Sequence, residues 1–405
     1  MTGALLILGA SEEQLPLYRE ARRRGIPIIA ADHRRDRPAA PLAGTFLEVS
    51  IRDPQAIAAA LGEIRPRAVV SAASDAGLLA WHELAQQYAT PYRYPLKAAR
   101  TSMDKAEFHR LTRLLDLPGY RWVRATDTAA IAAAGLTFPL IVKPNDGSGS
   151  KGLTQVERAA ELPAAVMHAQ NHSPDGVVIA EELIEGDHYA LEIFMRQGEV
   201  HFAAVTEKVF AEGFLVRTHL CPSLLAEAMV HAAAANAARI CNALELHDGP
   251  ANFDFVVTPD RGVVFVEVNA RLGGNGIPRL LRAAYGVDTV AALISLVLGE
   301  PFTLSPTLIS HAALTVLASP LDGPGTVAGF GGLEAAREVA GISELELFVQ
   351  PGDLVRPFTQ AGHKIGNLLA AGGRRDETER STREALGLLR LDIIPSSESE
   401  THARS

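Results

Sequence analysis

Between Asn252 and Arg271, two runs rich in Val and Phe enclose Thr258-Pro-Asp-Arg-Gly-Val263, a pattern that commits the stretch to an antiparallel hairpin. Pairing Thr258 with Val263 puts Asp254 directly opposite Glu267. Successive strand residues face opposite sides, so Asn252, Asp254, Glu267 and Asn269 share one face. Phe253, Phe255, Val257, Val264, Val266 and Val268 take the other and make a core face. Two carboxylates held face to face repel, and burying them without partners is costly. A hard divalent cation relieves both problems: Mg²⁺ accepts oxygen ligands, one or two of them carboxylates, together with nucleotide phosphates. An exposed acidic face on a surface hairpin is the competing reading, and the hairpin alone does not separate the two.

The first hundred residues alternate in kind. Residues 4–10 read as a strand, 15–24 as a helix stopped by Gly25, and 27–31 as a strand. The pattern repeats with a helix at 53–64, a strand at 68–71 and a helix at 76–88. Such alternation implies a parallel sheet flanked by helices. Gly9 follows the first strand, but the later glycines of a dinucleotide fingerprint are missing, which speaks against NAD. Residues 103–115 form an amphipathic helix that stops before Leu117-Pro-Gly119. Strands dominate next, at 140–143, 177–180, 190–195 and 200–204, and an Ala-rich helix at 225–244 precedes the hairpin. Helices follow at 278–285 and 287–298. A Gly- and Pro-rich region then carries short strands at 311–317, 346–348 and 364–369 and a helix at 377–389. The polar tail reads as disordered.

Bulk composition removes several classes. At 405 residues the chain has room for about two to three domains. Its 47% apolar content is spread out, with no run of the ~18 uncharged apolar residues that a transmembrane helix needs. No basic segment precedes the first apolar run, so no signal peptide is read there. Cys221 and Cys241 are too few for a disulfide framework and neither sits in a CxxC pair, which fits a reduced, cytoplasmic setting. A net charge of −9 argues against a general nucleic-acid binder.

Val142-Lys-Pro144 leads into the loop Asn145-Asp-Gly-Ser-Gly-Ser-Lys-Gly152. Gly147, Gly149 and Gly152 permit tight turns that aim amides at phosphate oxygens, and Lys143 and Lys151 add charge. It is not a Walker A loop, because Lys151 is followed by glycine. Taken alone, a Gly/Ser loop is more ordinarily a flexible surface segment. Downstream, Val178-Ile-Ala-Glu-Glu-Leu-Ile-Glu-Gly186 runs a strand into a bend where side-chain and backbone groups can meet an adenine edge. In order with Asp104-Lys105 and Asp254…Glu267-Val-Asn-Ala-Arg271, these elements resemble the ATP-grasp superfamily over essentially the whole chain. Within it, the chain is similar to carboxylate–amine ligases of the L-amino-acid ligase type. Glu267-Val-Asn-Ala-Arg-Leu-Gly-Gly274, Thr206-Glu-Lys208, His219-Leu-Cys-Pro-Ser223 and residues 362–371 carry that likeness. Leu272-Gly-Gly-Asn-Gly276 departs from biotin carboxylases and D-Ala–D-Ala ligases.

The resemblance implies an α/β fold (the α+β ATP-grasp kind) in three parts. These are an N-terminal parallel α/β domain over 1–100, a two-part ATP-grasp domain over 101–300 with a small lobe at about 118–185, and a C-terminal lid over 301–395; a tail at 396–405 follows. It also implies ATP and two Mg²⁺ ions. Lys105 and Lys143 would contact phosphates, while Ser148, Gly149, Ser150 and Lys151 would close over them. Glu181, Glu182 and Leu183 would hold adenine, with Asp187 or Glu185 at the ribose. Asp254 and Glu267 would bind one ion, and Glu267 with Asn269 a second. Arg271, Lys208 and His219 form the implied catalytic group, Arg271 gripping the transferring phosphoryl group or the acyl oxyanion. Arg217, His219, Arg271, Gly274 and Asn275 would line the substrate pocket, beside a helix N-terminus that attracts anions. Related amino-acid ligases tend to carry an acidic residue just before this histidine. Val216-Arg217-Thr218 stands there instead, and Arg217 favours an acidic substrate.

The activity implied is ATP-dependent: a carboxylate becomes an acyl phosphate, an amine displaces phosphate, and ADP is released, in peptide or natural-product biosynthesis. The partners are small-molecule carboxylate and amine substrates, with a homodimer following from the resemblance and neither nucleic acid nor membrane involved. An acyl-carrier-protein thiol is the alternative acceptor. A non-catalytic nucleotide-binding regulatory or scaffold protein is the alternative of another class. Paired acids kept together with Asn269 and Arg271 speak against the last.

Overall fold

Leu5–Leu8, Ile28–Asp32 and Ala68–Ser71 are buried along their whole length. With Thr45–Glu48 they form a parallel sheet in the order Thr45–Glu48, Ile28–Asp32, Leu5–Leu8, Ala68–Ser71. Unbroken burial is what a parallel sheet shows when helices cover both faces. Helices Leu15–Arg23, Pro54–Leu61 and Leu78–Gln87 share its core through Leu17, Tyr18, Ile57 and Leu84. Asp53 caps the second helix by accepting from the Ala56 amide at 2.8 Å. The parallel α/β reading of this segment holds.

The computed structural model describes residues 3–147, 149, 151–211 and 213–396. They divide into two units: Met1–Val205, Leu225–Gly274 and Asp288–Leu304 in the first, and Thr206–Leu224, Asn275–Val287 and Ser305–Ser405 in the second. Among the described residues, no single helix is long and apolar enough to cross a membrane.

The first unit has two further sheets. A small antiparallel one runs in the order Trp122–Ala125, Val178–Glu182, Leu140–Pro144, Thr154–Val156. Val142, Ala180, Ala165 and Val166 build its core with helix Leu162–Gln170. The other contains Asp187–Arg196, Gly249–Thr258 and Gly262–Asn269, antiparallel throughout. Its hairpin corrects the expected register. Thr258 pairs with Gly262, not Val263, because Gly262 closes the turn in the left-handed region at φ 70°. Phe255 then faces Phe265, and a bulge at Val266 restores Asp254 opposite Glu267 and Asn252 opposite Asn269. The bulge also changes which valines reach the core. Val263 and Phe265 join Phe253, Phe255 and Val268 in one core cluster; Val264 is fully buried as expected, whereas Val266 is only half-buried.

In the second unit the end of strand Glu199–Phe210 pairs with Val216–Cys221, followed by His311–Ala318, Lys364–Gly372 and Ile342–Leu347, all antiparallel. Lys208 faces His219, Val209 faces Thr218 and Phe210 faces Val216, so Arg217 is the extra residue of a bulge. Helices Leu333–Glu338 and Arg375–Leu388 share a core with this sheet through Ala336, Leu368 and Ala385. A three-stranded sheet of Leu354–Val355, Gly325–Gly331 and Arg390–Pro395 completes the unit.

Candidate active site

Lys143 lies inside a strand buried from end to end. Its register partner is Ile179, and Ile141 pairs with Glu181, so Lys143 and Glu181 are diagonal neighbours on one face. Their charged ends meet at 2.8 Å. The other Glu181 oxygen lies 2.8 Å from His109 Nε2, which the Tyr120 hydroxyl approaches at 3.4 Å. Burial alone would raise the Glu181 carboxyl, but the Lys143 charge and the His109 hydrogen bond outweigh it and hold the group at about 2.

Lys105 opens helix Lys105–Leu114, with Asp104 as its cap. The Lys105 side chain is buried, donates to the Gly147 carbonyl, and lies 3.5 Å from a Glu267 oxygen. Asn145 fastens the root of the glycine loop to this helix. Its carbonyl accepts from the Lys105 amide at 3.1 Å, and its Oδ1 from the Ala106 amide at 3.0 Å. Gly149 and Gly152 have φ near 70°, and a Cβ on Gly152 would sit 2.9 Å from the Cβ of His172. Lys151 is exposed. Ser148 and Ser150, two of the expected phosphate contacts, lie outside the described residues. Glu182 accepts from the Thr137 amide at 2.7 Å and from Arg121 at 3.2 Å. The Leu183 amide is committed to the Pro139 carbonyl at 3.0 Å, so an adenine contact there falls to its carbonyl. Asp187 is exposed and starts its strand opposite Val257.

The acid face extends over three strands. Asn252 pairs with Asn269 on one side and with Glu192 on the other. Its amide nitrogen donates to Glu192 at 2.6 Å, and Asn269 donates to Asn252 Oδ1 at 3.4 Å. Burial pushes the Glu192 carboxyl up to about 8, against the pull of Asn252, Arg271 and the Gly273 amide, while Asp254 adds to the rise. Asn269 Oδ1 is buried and has no hydrogen-bond partner among the described residues. Such orphaned oxygens are rare in folded proteins. Among the described residues, no three His, Cys, Asp or Glu side chains cluster as a metal site, so a cation on this row needs the Asn269 oxygen beside the acids Asp254 and Glu267. Carboxylate and amide oxygens are the ligands Mg²⁺ takes, so the donor set fits that ion.

Arg271 is buried and forks onto Asp75, Nε and an η nitrogen each 3.0 Å from one carboxylate oxygen. The other η nitrogen donates to the Leu272 carbonyl at 3.1 Å. Ala270 next to it is pinned by the Tyr94 hydroxyl at 2.8 Å and by Ser102 at 2.9 Å. Gly274 is half-buried, and a Cβ there would lie 3.4 Å from a Glu13 oxygen.

In the second unit His219 is buried, with Nδ1 3.1 Å from the Thr206 hydroxyl and Lys208 directly across the ladder. Arg217 is half-buried two residues earlier. Asn275, at φ 52°, accepts from the buried Lys364 at 3.1 Å.

Residues 136–279 match the ATP-grasp domain. The chain carries an ATP-grasp domain. Residues 319–393 match the L-amino acid ligase C-terminal domain 2. An uncharacterized protein of Sinorhizobium fredii, y4rH, is 30% identical over 288 residues, 70% of this chain; the chain spans 59% of that relative's length. A formate-dependent phosphoribosylglycinamide formyltransferase of Erwinia tasmaniensis is 28% identical over 395 residues, 95% of each chain. Among solved structures, an L-amino acid ligase from Bacillus licheniformis superposes with a TM-score of 0.81 at 20% identity, over 97% of this chain and 99% of that one. A phosphoribosylglycinamide synthetase from Anaerococcus prevotii gives 0.76 at 19% identity, over 97% and 99%. At such identities these two likenesses speak to the fold. The chain is thus similar to ATP-grasp proteins, among them an L-amino acid ligase and formate-dependent phosphoribosylglycinamide formyltransferases.

Proposed function

We propose that this protein converts a carboxylate to an acyl phosphate at the expense of ATP and joins the acyl group to an amine, in the making of a peptide or related natural product. The observation that carries the reading is Asn269, whose buried oxygen, unpartnered among the described residues, stands on the row of Asp254 and Glu267. Asp254 and Glu267 would hold one Mg²⁺, and Glu267 with Asn269 a second. Bound metal would neutralise charge on the transferring phosphoryl group.

The remaining work falls to the chain's own side chains. Lys105 and Lys143 each face a carboxylate, Glu267 and Glu181, so a phosphate oxygen can replace one anionic partner with another. A carboxylate oxygen is a poor leaving group and phosphate a good one, which is why the acid must be activated first. In such transfers the protein mostly orients reactants and offsets charge. Asp75 holds the Arg271 guanidinium in one plane, and its remaining N–H groups suit a phosphoryl or acyl oxygen. His219 and Lys208 would serve the substrate side.

The test is ADP release from ATP over a panel of carboxylic acids, with and without hydroxylamine. Hydroxylamine traps an acyl phosphate as a hydroxamate whether the natural acceptor is an amine or a carrier-protein thiol. Glu267→Ala should abolish both signals while circular dichroism stays that of the wild type. Undiminished turnover in that variant refutes the metal assignment.

A further inference from the structure

An amide side chain such as Asn269 offers its oxygen to a cation only if its nitrogen is turned elsewhere. The two ends of the group have nearly the same shape, so its hydrogen-bond partners decide which end faces where. Here the partners stand in one line across three strands of the first unit, Glu192 paired with Asn252 and Asn252 with Asn269. Asn252 turns its nitrogen to Glu192 at 2.6 Å, and its oxygen accepts from the Asn269 nitrogen at 3.4 Å. That commits the Asn269 nitrogen and leaves the buried Oδ1 with no hydrogen-bond partner among the described residues. Glu192 has little room to swing away. It is 4% exposed, and a Cβ on Gly273 would lie 2.5 Å from its Oε1, so the chain beyond Arg271 closes on the carboxyl at a residue without a side chain.

We propose that Glu192 is a positioning residue that acts through Asn252, fixing the Asn269 amide so that its oxygen is offered to the divalent cation of the acid row. This role presupposes the metal assignment of the ligase reading and deepens it. A carboxyl group has no N–H to offer and keeps acceptor capacity with or without its proton, so the nitrogen of Asn252 is the end that suits it. Each amide then hands the same choice to the next. Groups behind a metal ligand orient it in this way, and removing one weakens metal binding about tenfold to a hundredfold.

The experiment measures the Mn²⁺ Kd of the full chain by electron paramagnetic resonance with ADP present, and ADP binding in EDTA by calorimetry as the check on folding. Asn252→Leu and Glu192→Met should each raise the Mn²⁺ Kd about tenfold to a hundredfold, with ADP binding in EDTA unchanged. Glu192→Gln, which still presents an oxygen to Asn252, should keep most of the affinity. Asn269→Ala should lose at least as much as Asn252→Leu, and the double variant should lose no more than Asn269→Ala alone, because the relay reaches the ion only through Asn269. If Glu192→Met no longer binds ADP in EDTA, the Asn252 and Asn269 variants decide. A wild-type Mn²⁺ Kd in Asn252→Leu, or losses that add in the double variant, overturns the relay and leaves the metal assignment and the ligase reading standing. A wild type that binds ADP but takes up no Mn²⁺ overturns the relay and the metal assignment together, while hydroxamate formation decides separately on the ligase reading.

Discussion

Replacing Asp75 with asparagine keeps the shape of the Arg271 partner but removes its charge. Both side chains are 9% exposed, and the two contacts are 3.0 Å each. Breaking a buried pair by neutralising one member costs about 3–5 kcal/mol, because the surviving charge is left without compensation. Asparagine retains one acceptor oxygen, so Asp75→Asn belongs near the lower end, at about 3 kcal/mol. At roughly 2–4 °C per kcal/mol for a body of this size, the first unit's transition should fall by about 6–12 °C in differential scanning calorimetry. Adding Arg271→Met removes the stranded cation, and the double variant should regain most of the loss. A shift below about 2 °C for Asp75→Asn, or a double variant less stable than the single, would refute the reasoning that the pair is tightly desolvated.

Two predictions concern pH. The Glu181 carboxyl falls from 4.5 to about 2 on folding, so its stabilisation is complete above pH 4.5 and disappears as pH drops towards 2. Glu181→Gln should flatten that acid limb of a urea-midpoint series, a contribution on the order of 3 kcal/mol; an acid limb as steep as the wild type's would sink the assignment. Glu192 shifts the opposite way, from 4.5 to about 8, so between those values only the unfolded chain has released the proton and stability declines as pH rises. Glu192→Gln, which still offers Asn252 an oxygen, should lose this slope and exceed the wild type at pH 8. Parallel curves for the two proteins would count against it.

Period-two reasoning found the acid row, yet through a register that was wrong at the turn. Gly262 takes the place assumed for Val263, and the Val266 bulge cancels the error before it reaches Glu267. A bulge has no composition of its own, so Val266 is expected in the core and is found half-buried, while the acid pair stands opposite as expected. Leu5–Leu8 and Ile28–Asp32 are legible as short, unbroken apolar runs, and Leu15–Arg23 between them as an amphipathic helix. Trp122–Ala125 and Thr154–Val156 are not, since a charged or polar residue interrupts each of these short runs. Side-chain pairs distant in the chain escaped as well. Asp75 meets Arg271 across 196 positions, and His109 meets Glu181 across 72. Asn145 and Glu192 sat in plain view beside expected elements, but only the folded ladder reveals what each one touches.

The hairpin's split ladder also makes its tip a grafting position. Pro259, Asp260 and Arg261 are exposed, and the acid row lies beyond the Val266 bulge from them. An epitope or fluorophore-bearing peptide spliced between Thr258 and Gly262 changes the length of the tip alone, leaving both strands to zip as before. Trimming or adding a single residue within Val263–Phe265 is a different matter, for it rotates those side chains out of the interior.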